Sequence, residues 1–369
     1  HAAAPKGALC SWTDITNNFY GAFMQRGEEG FDKYRVQSLF VGSGKLTQSR
    51  TIKVGTHYRV YAPVWTKNHG NRVLYTDDFG QTWHALGGKA ALPCPGGDEP
   101  KCEELPDGSV VLSSRKGAGR YFNIYKYSDD KKVDGAWGEA VASDQQQGGI
   151  KVGRNSTNGE ILILQAQRKS DGALRTLALQ SLPTGDGRSD VKIYWKDITD
   201  AASYASPKAF AENWNQQPYH VSHTGSAYST MTLQKDGRIG FFYEETPGGY
   251  SMVYVSLSIS EITNGKYVRI VGDAQPTDAT PVEITYAYTN GQTVWYEQKE
   301  VAYVGDAFPA IQKPAYVSAT GLPERKVAAE DAGKTFPIAC TLSEDVPFLP
   351  SASFDEGVWY SLTIRGNKY

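Results

Sequence analysis

The sequence is poor in cysteine and has no long apolar run. Its 369 residues include only four cysteines, and no 18 consecutive residues are apolar. Four cysteines are too few for a fold held together by disulfides, and no helix is expected to span a membrane. The six histidines are scattered, and no group of His and Cys has the spacing of a zinc site. We therefore expect no metal site.

Charge of one sign is also missing. The sequence has 38 Lys and Arg against 40 Asp and Glu, which gives a net charge of −2. This balance argues against a nucleic-acid partner, because such proteins usually present a basic face. Aromatic residues are plentiful, at 12%, and there are 38 glycines. A chain rich in aromatic residues and glycine is typical of sheet proteins, so we predict an all-β fold.

Segments of one pattern recur along the chain, each with a glycine turn followed by an apolar run and polar residues. They are "PDGSVVLSSR", "TNGEILILQAQR", "KDGRIGFFYEE" and, more loosely, "KVGTHYRVYAPV". Their turn glycines are Gly55, Gly108, Gly159 and Gly237, with two nearly equal intervals followed by a longer one. A strand-rich period of about 50 residues predicts the four-stranded blades of a propeller.

The longest interval has a local explanation. The stretch "SPKAFAENW", from Ser206 to Trp214, predicts an inserted helix with Ser206 as N-cap and Pro207 in the first helical position.

A second motif marks one turn. The stretch "YTDDFGQTW" matches the Asp-box pattern S/T-x-D-x-G-x-T-W with Thr76, Asp78, Gly80, Thr82 and Trp83. The carboxylate of Asp78 is expected to accept backbone hydrogen bonds, and Gly80 permits a positive φ. Trp83 is expected to pack between sheets. These residues have a structural role and locate a blade. The stretch "YSDDKKVDGAW" resembles a degraded copy.

The pattern changes after about Ile270. A Pro, Asp and Thr-rich linker is followed by alternating strands around Asn290 and Gly291, which is a strong hairpin signal. We predict a propeller domain over residues 1–272, a small accessory β-sandwich over 273–350, and the start of a further module over 351–369.

The stretch "GGDEPKCEELPDGSVVLSSR" sets Glu99 in a loop ahead of a strand that finishes on Arg115. Alternation puts Arg115 at the end of that strand, where propeller side chains line the central pocket. Glu103 and Glu104 are expected on the surface. Cys94 and Cys102 flank this loop, and they are either two buried thiols or a disulfide of an oxidising compartment.

With these motifs, the chain from about Ser11 to Ile270 resembles bacterial sialidases (exo-α-sialidases, or neuraminidases). The resemblance implies a six-bladed β-propeller that hydrolyses terminal sialic acids. It also implies a site with three arginines, a nucleophilic Tyr with a Glu partner, and an Asp as acid and base.

The family's glutamate precedes its second arginine at the spacing seen here between Glu99 and Arg115, with an "LPDGS" turn in between. The resemblance therefore assigns these two roles to Glu99 and Arg115. The stretch "LALQSLPTGDGRSDVKIYW" is similar to the segment of the third arginine and gives Arg188. Arg175 is its rival, and it is expected to be an ordinary strand residue.

The stretch "SAYSTMTLQKDGRIGFFYE" is similar to the family's nucleophile motif and gives Tyr228. Its last residue, Glu244, resembles the acid that holds the first arginine in place.

Two parts of the family pattern are not found, namely the first arginine and the acid/base Asp. The closest match to the first arginine is Arg59 in "YRVYAPV". We reject it because the family's first arginine lies much further upstream of the glutamate than Arg59 lies upstream of Glu99. About 260 residues make roughly five blades at this period, and six close the ring. We expect the first one or two blades to lie outside this chain, and the chain alone to be weakly active or inactive.

The resemblance implies a retaining exo-sialidase that forms a covalent tyrosyl intermediate. A non-catalytic sialoglycan-binding propeller and a transglycosylating sialidase are the alternatives. The expected partners are sialylated glycans or glycoproteins and an upstream segment of the same gene product. The expected location is secreted, periplasmic or on the cell surface. The mechanism needs no metal or organic cofactor.

Overall fold

The computed structural model describes residues 16–117, 119–130, 132–153, 158–234, 236–246, 251–270, 281–309, 311, 317–342, 363–364 and 367–368. Over these residues the chain consists mainly of antiparallel β-sheets, which confirms the all-β class. The described part contains no helix that is long and apolar enough to cross a membrane.

The first two sheets follow each other along the chain. Sheet 1 contains β1 (Leu39–Val41), β2 (Thr47–Val54), β3 (His57–Thr66), β4 (Gly70–Thr76), β5 (His84–Ala85) and β6 (Cys94–Pro95). Sheet 2 contains β7 (Asp98–Glu104), β8 (Val110–Lys116), β9 (Gly119–Tyr127), β10 (Gly135–Trp137) and β11 (Val141–Ala142).

Two more sheets complete this part. Sheet 3 contains β12 (Ile161–Arg168), β13 (Leu174–Gly185), β14 (Ser189–Asp197) and β15 (Tyr219–His220). Sheet 4 contains β16 (Ser226–Leu233), β17 (Ile239–Glu245) and β18 (Ser251–Leu257). The chain then returns to sheet 3, where β19 (Tyr267–Val268) pairs with β12.

The helices of the described residues are short. They are α1 (Phe31–Tyr34), α2 (Pro207–Ala211) and α3 (Ile259–Ile262), with 3₁₀ turns at Thr16–Ala22, Ser143–Gln145, Ala201–Tyr204 and Ala329–Asp331. Helix α2 confirms the predicted insertion, since Pro207 is in its first turn and the Ser206 side chain accepts a hydrogen bond from the Ala209 N–H. The helix ends at Ala211, before the predicted Trp214.

The four repeated glycine turns occupy equivalent places. Each precedes a strand that has an antiparallel neighbour on both sides, namely β3, β8, β12 or β17. Gly55, Gly108 and Gly237 have positive φ, which glycine adopts without strain. Gly159 is needed for a different reason, since a Cβ there would lie 1.6 Å from the Ser181 carbonyl oxygen.

Consecutive sheets are joined by apolar cores. One core lies between sheets 1 and 2 and a second between sheets 2 and 3. A third lies between sheets 3 and 4. Strand β12 illustrates the cause: Ile161 and Ile163 face sheet 2, while Leu162 and Leu164 face sheet 4. The side chains of a strand alternate between faces, so an apolar run such as this one can bury both.

Sheets 1 and 4, at the two ends of this series, expose apolar side chains to solvent. In sheet 1, the three β1 residues Leu39, Phe40 and Val41 are 37–40% exposed. In sheet 4, Phe242 is 39% and Met252 is 55% exposed.

The C-terminal region contains a fifth sheet with β20 (Pro281–Thr289), β21 (Val294–Tyr303), β22 (Val317–Thr320) and β23 (Thr335–Leu342). Strands β20 and β21 confirm the hairpin predicted at Asn290 and Gly291. The described strands between residues 281 and 342 form this single sheet, with its own core. The boundary predicted at 272/273 and most of 351–369 lie outside the described residues. Within 351–369, β24 (Thr363–Ile364) pairs with β25 (Asn367–Lys368).

Two expectations about charged and sulfur side chains are decided here. Cys94 and Cys102 are free and buried, so the disulfide alternative is wrong. Glu103 and Glu104 were expected on the surface, and this is wrong too, because they are 4% and 0% exposed. Their burial is possible because Lys45 pairs with Glu103 at 2.8 Å and the Thr51 hydroxyl donates to Glu104 at 2.8 Å.

Candidate active site

Two β-bulges create the site. In β7, Asp98 pairs with Arg115 and Pro100 with Ser114, so Glu99 is the extra residue between them. In β16, Ala227 and Tyr228 together oppose one residue of β17, Glu244. A bulge re-aims a side chain relative to the regular pleat, and here two bulges on different sheets turn a carboxylate and a phenol toward each other.

The phenol hydroxyl of Tyr228 donates a hydrogen bond to Oε1 of Glu99. The same carboxylate is held by Arg115, whose Nη1 lies 2.8 Å from Oε2 and 3.1 Å from Oε1. Both hydrogen bonds from this arginine to Glu99 use Nη1. The structure thus brings together Tyr228, Glu99 and Arg115, three of the residues singled out in the sequence.

The surroundings keep the phenol protonated. Burial raises the pKa of Tyr228 to about 12, and the hydrogen bond and negative charge of Glu99 act in the same direction. The positive charges of Arg188 and Arg115 oppose this rise. At neutral pH, Tyr228 is therefore an uncharged hydroxyl whose proton already points at a carboxylate.

Arg188 lies in the turn between β13 and β14 and has a φ of 64°. Its carbonyl oxygen accepts a hydrogen bond from the Ser226 N–H at 2.7 Å, which ties the turn to the start of the Tyr228 strand. Its charge is close enough to lower the pKa of Tyr228. Its rival, Arg175, is a residue of β13, as expected, and pairs with Asp171 at 3.9 Å.

Glu244 supports the strand that carries Tyr228. Its Oε2 accepts a hydrogen bond from the backbone N–H of Tyr228 at 3.2 Å. The bulge removes this N–H from the ladder between β16 and β17, and the carboxylate satisfies it instead. The sequence motif singles out Glu244 but does not indicate this contact.

A buried polar layer below the site was missed in the sequence. Lys101 follows Glu99 by two residues and Thr230 follows Tyr228 by two, so alternation places them one level deeper. Both contact Glu160: Nζ of Lys101 lies 3.3 Å and the Thr230 hydroxyl 2.8 Å from its Oε2. Lys101 and Glu160 are almost completely buried. The period-2 spacing from the two candidate residues was the signal that could have found this layer.

Arg120 was also missed. It lies opposite Arg115 in β9 and is fully buried. Burial lowers its pKa to about 10, although the charges of Glu99 and Glu160 oppose this. It is therefore still a cation at neutral pH, and it adds positive potential behind the Glu99 carboxylate.

The turn from Thr76 to Trp83 is held by side-chain hydrogen bonds. Asp78 Oδ1 accepts from the Thr82 N–H at 2.8 Å, and Oδ2 from its hydroxyl at 2.6 Å. Gly80 has a φ of 93°. Trp83 is buried and stacks on Phe19 with a centroid distance of 4.8 Å.

Arg59 pairs with an acidic side chain of the turn that follows β4 in the same sheet. It is buried, and its guanidinium pairs with both oxygens of Asp77 at 2.7 Å.

The site combines an uncharged phenol that could act as a nucleophile, a carboxylate that can accept its proton, and guanidinium groups that can bind an anion. Arginine is suited to this because its planar fork pairs with carboxylates.

Solved structures of other proteins are similar to part of the chain. Over 62% of its length it is similar to an intramolecular trans-sialidase from Ruminococcus gnavus, with 22% sequence identity, a TM-score of 0.46 and 45% of that chain covered. A leech intramolecular trans-sialidase matches 62% of the chain with 21% identity, a TM-score of 0.48 and 33% of its own chain covered. The NanB sialidase of Streptococcus pneumoniae matches 61% with 18% identity, a TM-score of 0.43 and 32% covered.

No family model and no curated protein sequence matches the chain. The chain spans less than half of the length of these solved structures. In structure it is similar to sialidases and trans-sialidases over about three-fifths of its own length.

Proposed function

We propose that this chain carries the nucleophile side of a retaining exo-sialidase, which hydrolyses terminal sialic acids through a tyrosyl intermediate. The observation that supports this most is the hydrogen bond from the Tyr228 phenol to Glu99, beside Arg115. Few side-chain pairs combine an uncharged nucleophile and a base at one point next to guanidinium groups, and this substrate needs all three.

Sialic acid carries a carboxylate on its anomeric carbon. That charge repels an anionic nucleophile, so a neutral phenol is better suited to attack there than Asp or Glu. In the first step, Tyr228 Oη forms a bond to the anomeric carbon, its proton passes to Glu99, and the bond to the leaving oxygen breaks. A phenol of raised pKa attacks poorly without such a base.

Binding of the substrate carboxylate falls to Arg115 and Arg188 in this proposal. Arg115 has donors left over after its contact with Glu99, and Arg188 acts on Tyr228 electrostatically. Glu244 keeps the Tyr228 backbone in place. An acid must still protonate the leaving oxygen, a step worth typically ~10²–10⁴-fold in rate. We assign it to an aspartate of an upstream segment.

We further propose that sheets 1 to 4 are blades of a six-bladed propeller and that the region after residue 272 is an accessory sandwich. The exposed apolar side chains of Leu39, Phe40 and Val41 on the first sheet, and of Phe242 and Met252 on the fourth, support this. Blades on both sides of the series would cover these faces, as neighbouring blades cover them between sheets 1 to 4. The Thr76–Trp83 turn is then the Asp box of the first of these blades.

The substrates would be sialylated glycans or glycoproteins. The chain would encounter them outside the cell or in the periplasm. The main alternative is a propeller that binds sialosides without cleaving them, and a transglycosylating enzyme would use the same residues with a different acceptor.

A covalent trap separates these possibilities. We would incubate the chain with 2,3-difluorosialic acid, whose anomeric fluoride leaves without protonation, and measure the intact mass of the protein. The parent and the control Tyr254→Phe, on the neighbouring strand β18, are expected to gain one sugar adduct, whereas Tyr228→Phe gains none. Glu99→Gln is expected to trap at least tenfold more slowly, because the phenol then lacks its base.

An adduct that persists in Tyr228→Phe would refute the assignment of the nucleophile. If the parent forms no adduct but binds a sialoside saturably, and Arg115→Lys weakens that binding, the binding-only alternative holds.

A further inference from the structure

A cluster of metal-type ligands lies beside the proposed site. Asp190, His220 and His223 bring one carboxylate oxygen and two imidazole nitrogens within 4.8 Å of one another. His220 Nε2 is 3.2 Å from Asp190 Oδ1, and the centroids of the two imidazole rings are 3.6 Å apart. Two ligand atoms bound tetrahedrally at about 2.0–2.1 Å from zinc are roughly 3.3 Å apart, so the first pair already has the spacing that a shared ion requires.

The backbone holds these residues from both sides. Asp190 lies at the start of β14 and His220 in β15, which pairs with it. The Val221 N–H donates to the Val191 carbonyl at 2.9 Å, and the Asp190 N–H donates to the Thr224 carbonyl at 3.2 Å. A ladder contact and a loop contact therefore hold the two segments together.

Asp190 has an unusual backbone conformation. Its φ is 57°, in the left-handed region that is uncommon for residues other than glycine, although Asp tolerates it better than most. Arg188, two residues earlier, has a φ of 64°. Such conformations cost free energy and persist where the surroundings impose them, often near functional sites. Here they place a carboxylate next to two imidazoles.

We propose that Asp190, His220 and His223 bind one Zn²⁺ ion, with water as the fourth ligand. Two imidazoles and a carboxylate suit zinc and similar transition metals, whereas Ca²⁺ and Mg²⁺ prefer oxygen ligands alone. His223 is exposed and the other two are partly exposed, so the ion has a path from solvent. In the sequence, the stretch HVSH places His220 and His223 three residues apart, but Asp190 belongs to a separate segment that only the fold brings to them.

The ion would connect two segments of the site. It joins the strand that starts next to Arg188 to the loop that leads into β16 and Tyr228. The inference does not rest on the proposed function, since it concerns metal binding and can be tested without any substrate.

Lys192 follows Asp190 by two residues and pairs with His220 across β14 and β15, so its positive charge lies near the cluster and disfavours a cation. The Asp190 carboxylate offsets it. Removing the positive charge of Lys192 should therefore strengthen zinc binding, and Lys192→Gln is expected to bind Zn²⁺ several-fold more tightly than the parent.

The test is calorimetric titration of the full chain with Zn²⁺ and, separately, with Ca²⁺. The parent is expected to bind Zn²⁺ and not Ca²⁺. His223→Gln and His220→Gln are expected to lose one Zn²⁺ equivalent or at least about 100-fold in affinity, since even outer-shell changes cost 10–100-fold. His57→Gln, which alters an exposed histidine of sheet 1, is the matched control and should keep the parent's affinity.

Because His223 is exposed, its variant is expected to fold, and circular dichroism checks this. Unchanged Zn²⁺ stoichiometry and affinity in His223→Gln and His220→Gln would overturn the proposal. So would a parent that fails to bind Zn²⁺ at millimolar concentration, whatever the outcome of the sialoside trap.

Discussion

Replacing Lys101 by Met leaves Glu160 as a buried carboxylate without its nearest cation. The two side chains are each 1% exposed, and their charged atoms are 3.3 Å apart. Breaking a buried ion pair by removing one partner costs about 3–5 kcal/mol. Lys45 also acts on Glu160 electrostatically, so we expect a loss near the lower end of this range, about 3 kcal/mol. That is a large share of the ~5–15 kcal/mol that stabilises a typical domain.

Urea denaturation measures this loss, provided that the slope of the unfolding curve stays unchanged. Burial raises the pKa of Glu160, while Lys101 and Lys45 oppose the rise. Without Lys101 this pKa rises further, and a group whose pKa is raised on folding loses stability as pH increases. The penalty of Lys101→Met should therefore be smaller at pH 5 than at pH 8.

The matched control is the double variant Lys101→Met with Glu160→Gln. It removes both charges but keeps an acceptor for Thr230, so it should recover most of the stability, because the two residues are coupled. A single variant that loses less than about 1 kcal/mol, or a double variant no better than the single one, would refute the reasoning.

Two further predictions concern other parts of the fold. Asp78→Ala should lower the free energy of unfolding by about 1 kcal/mol, because Thr82 loses two hydrogen bonds. Burial opposes these bonds, but together the bonds lower the pKa of Asp78 to about 2. The loss of unfolding free energy in Asp78→Ala should therefore shrink as pH falls from 4 toward 2. Urea denaturation at several pH values checks this, and a loss that does not change with pH would contradict it. Burial raises the pKa of the Cys102 thiol to about 12 and also raises that of Cys94. Both thiols should react with Ellman's reagent only after denaturation. The native parent and a native Cys94→Ala, Cys102→Ala double variant should therefore be labelled to the same extent.

The sheet class, the glycine turns, the Ser206 cap and the hairpin at Asn290 could be predicted from the sequence because each depends on local chemistry. Glu103 and Glu104 were misjudged because their burial depends on Lys45 and Thr51, which lie in a distant part of the sequence. The disulfide alternative failed for a similar reason, since proximity in sequence does not decide how two strands orient their cysteines.

The candidate site shows the same division. The resemblance of the sequence motifs singled out Tyr228, Glu99 and Arg115, and the structure places these side chains in contact. Neither bulge could be predicted, because the extra residue in a strand is defined only by its partner strand. Arg120 and the Lys101–Glu160 layer were missed because no motif marks a buried charge, and the proposed zinc ligands because pairing of β14 and β15 brings them together.

The hydrogen bond between Tyr228 and Glu99 joins residues 129 positions apart, on sheets 2 and 4, with sheet 3 between them. Closing so long a loop has an entropic cost, which is offset only when the apolar interfaces between these sheets are complete. The contact is therefore formed only when all three sheets have docked. A chain with any one of them unfolded lacks the Tyr228–Glu99 contact, so in the proposed trapping experiment the amount of adduct would measure how many molecules have folded across this whole span.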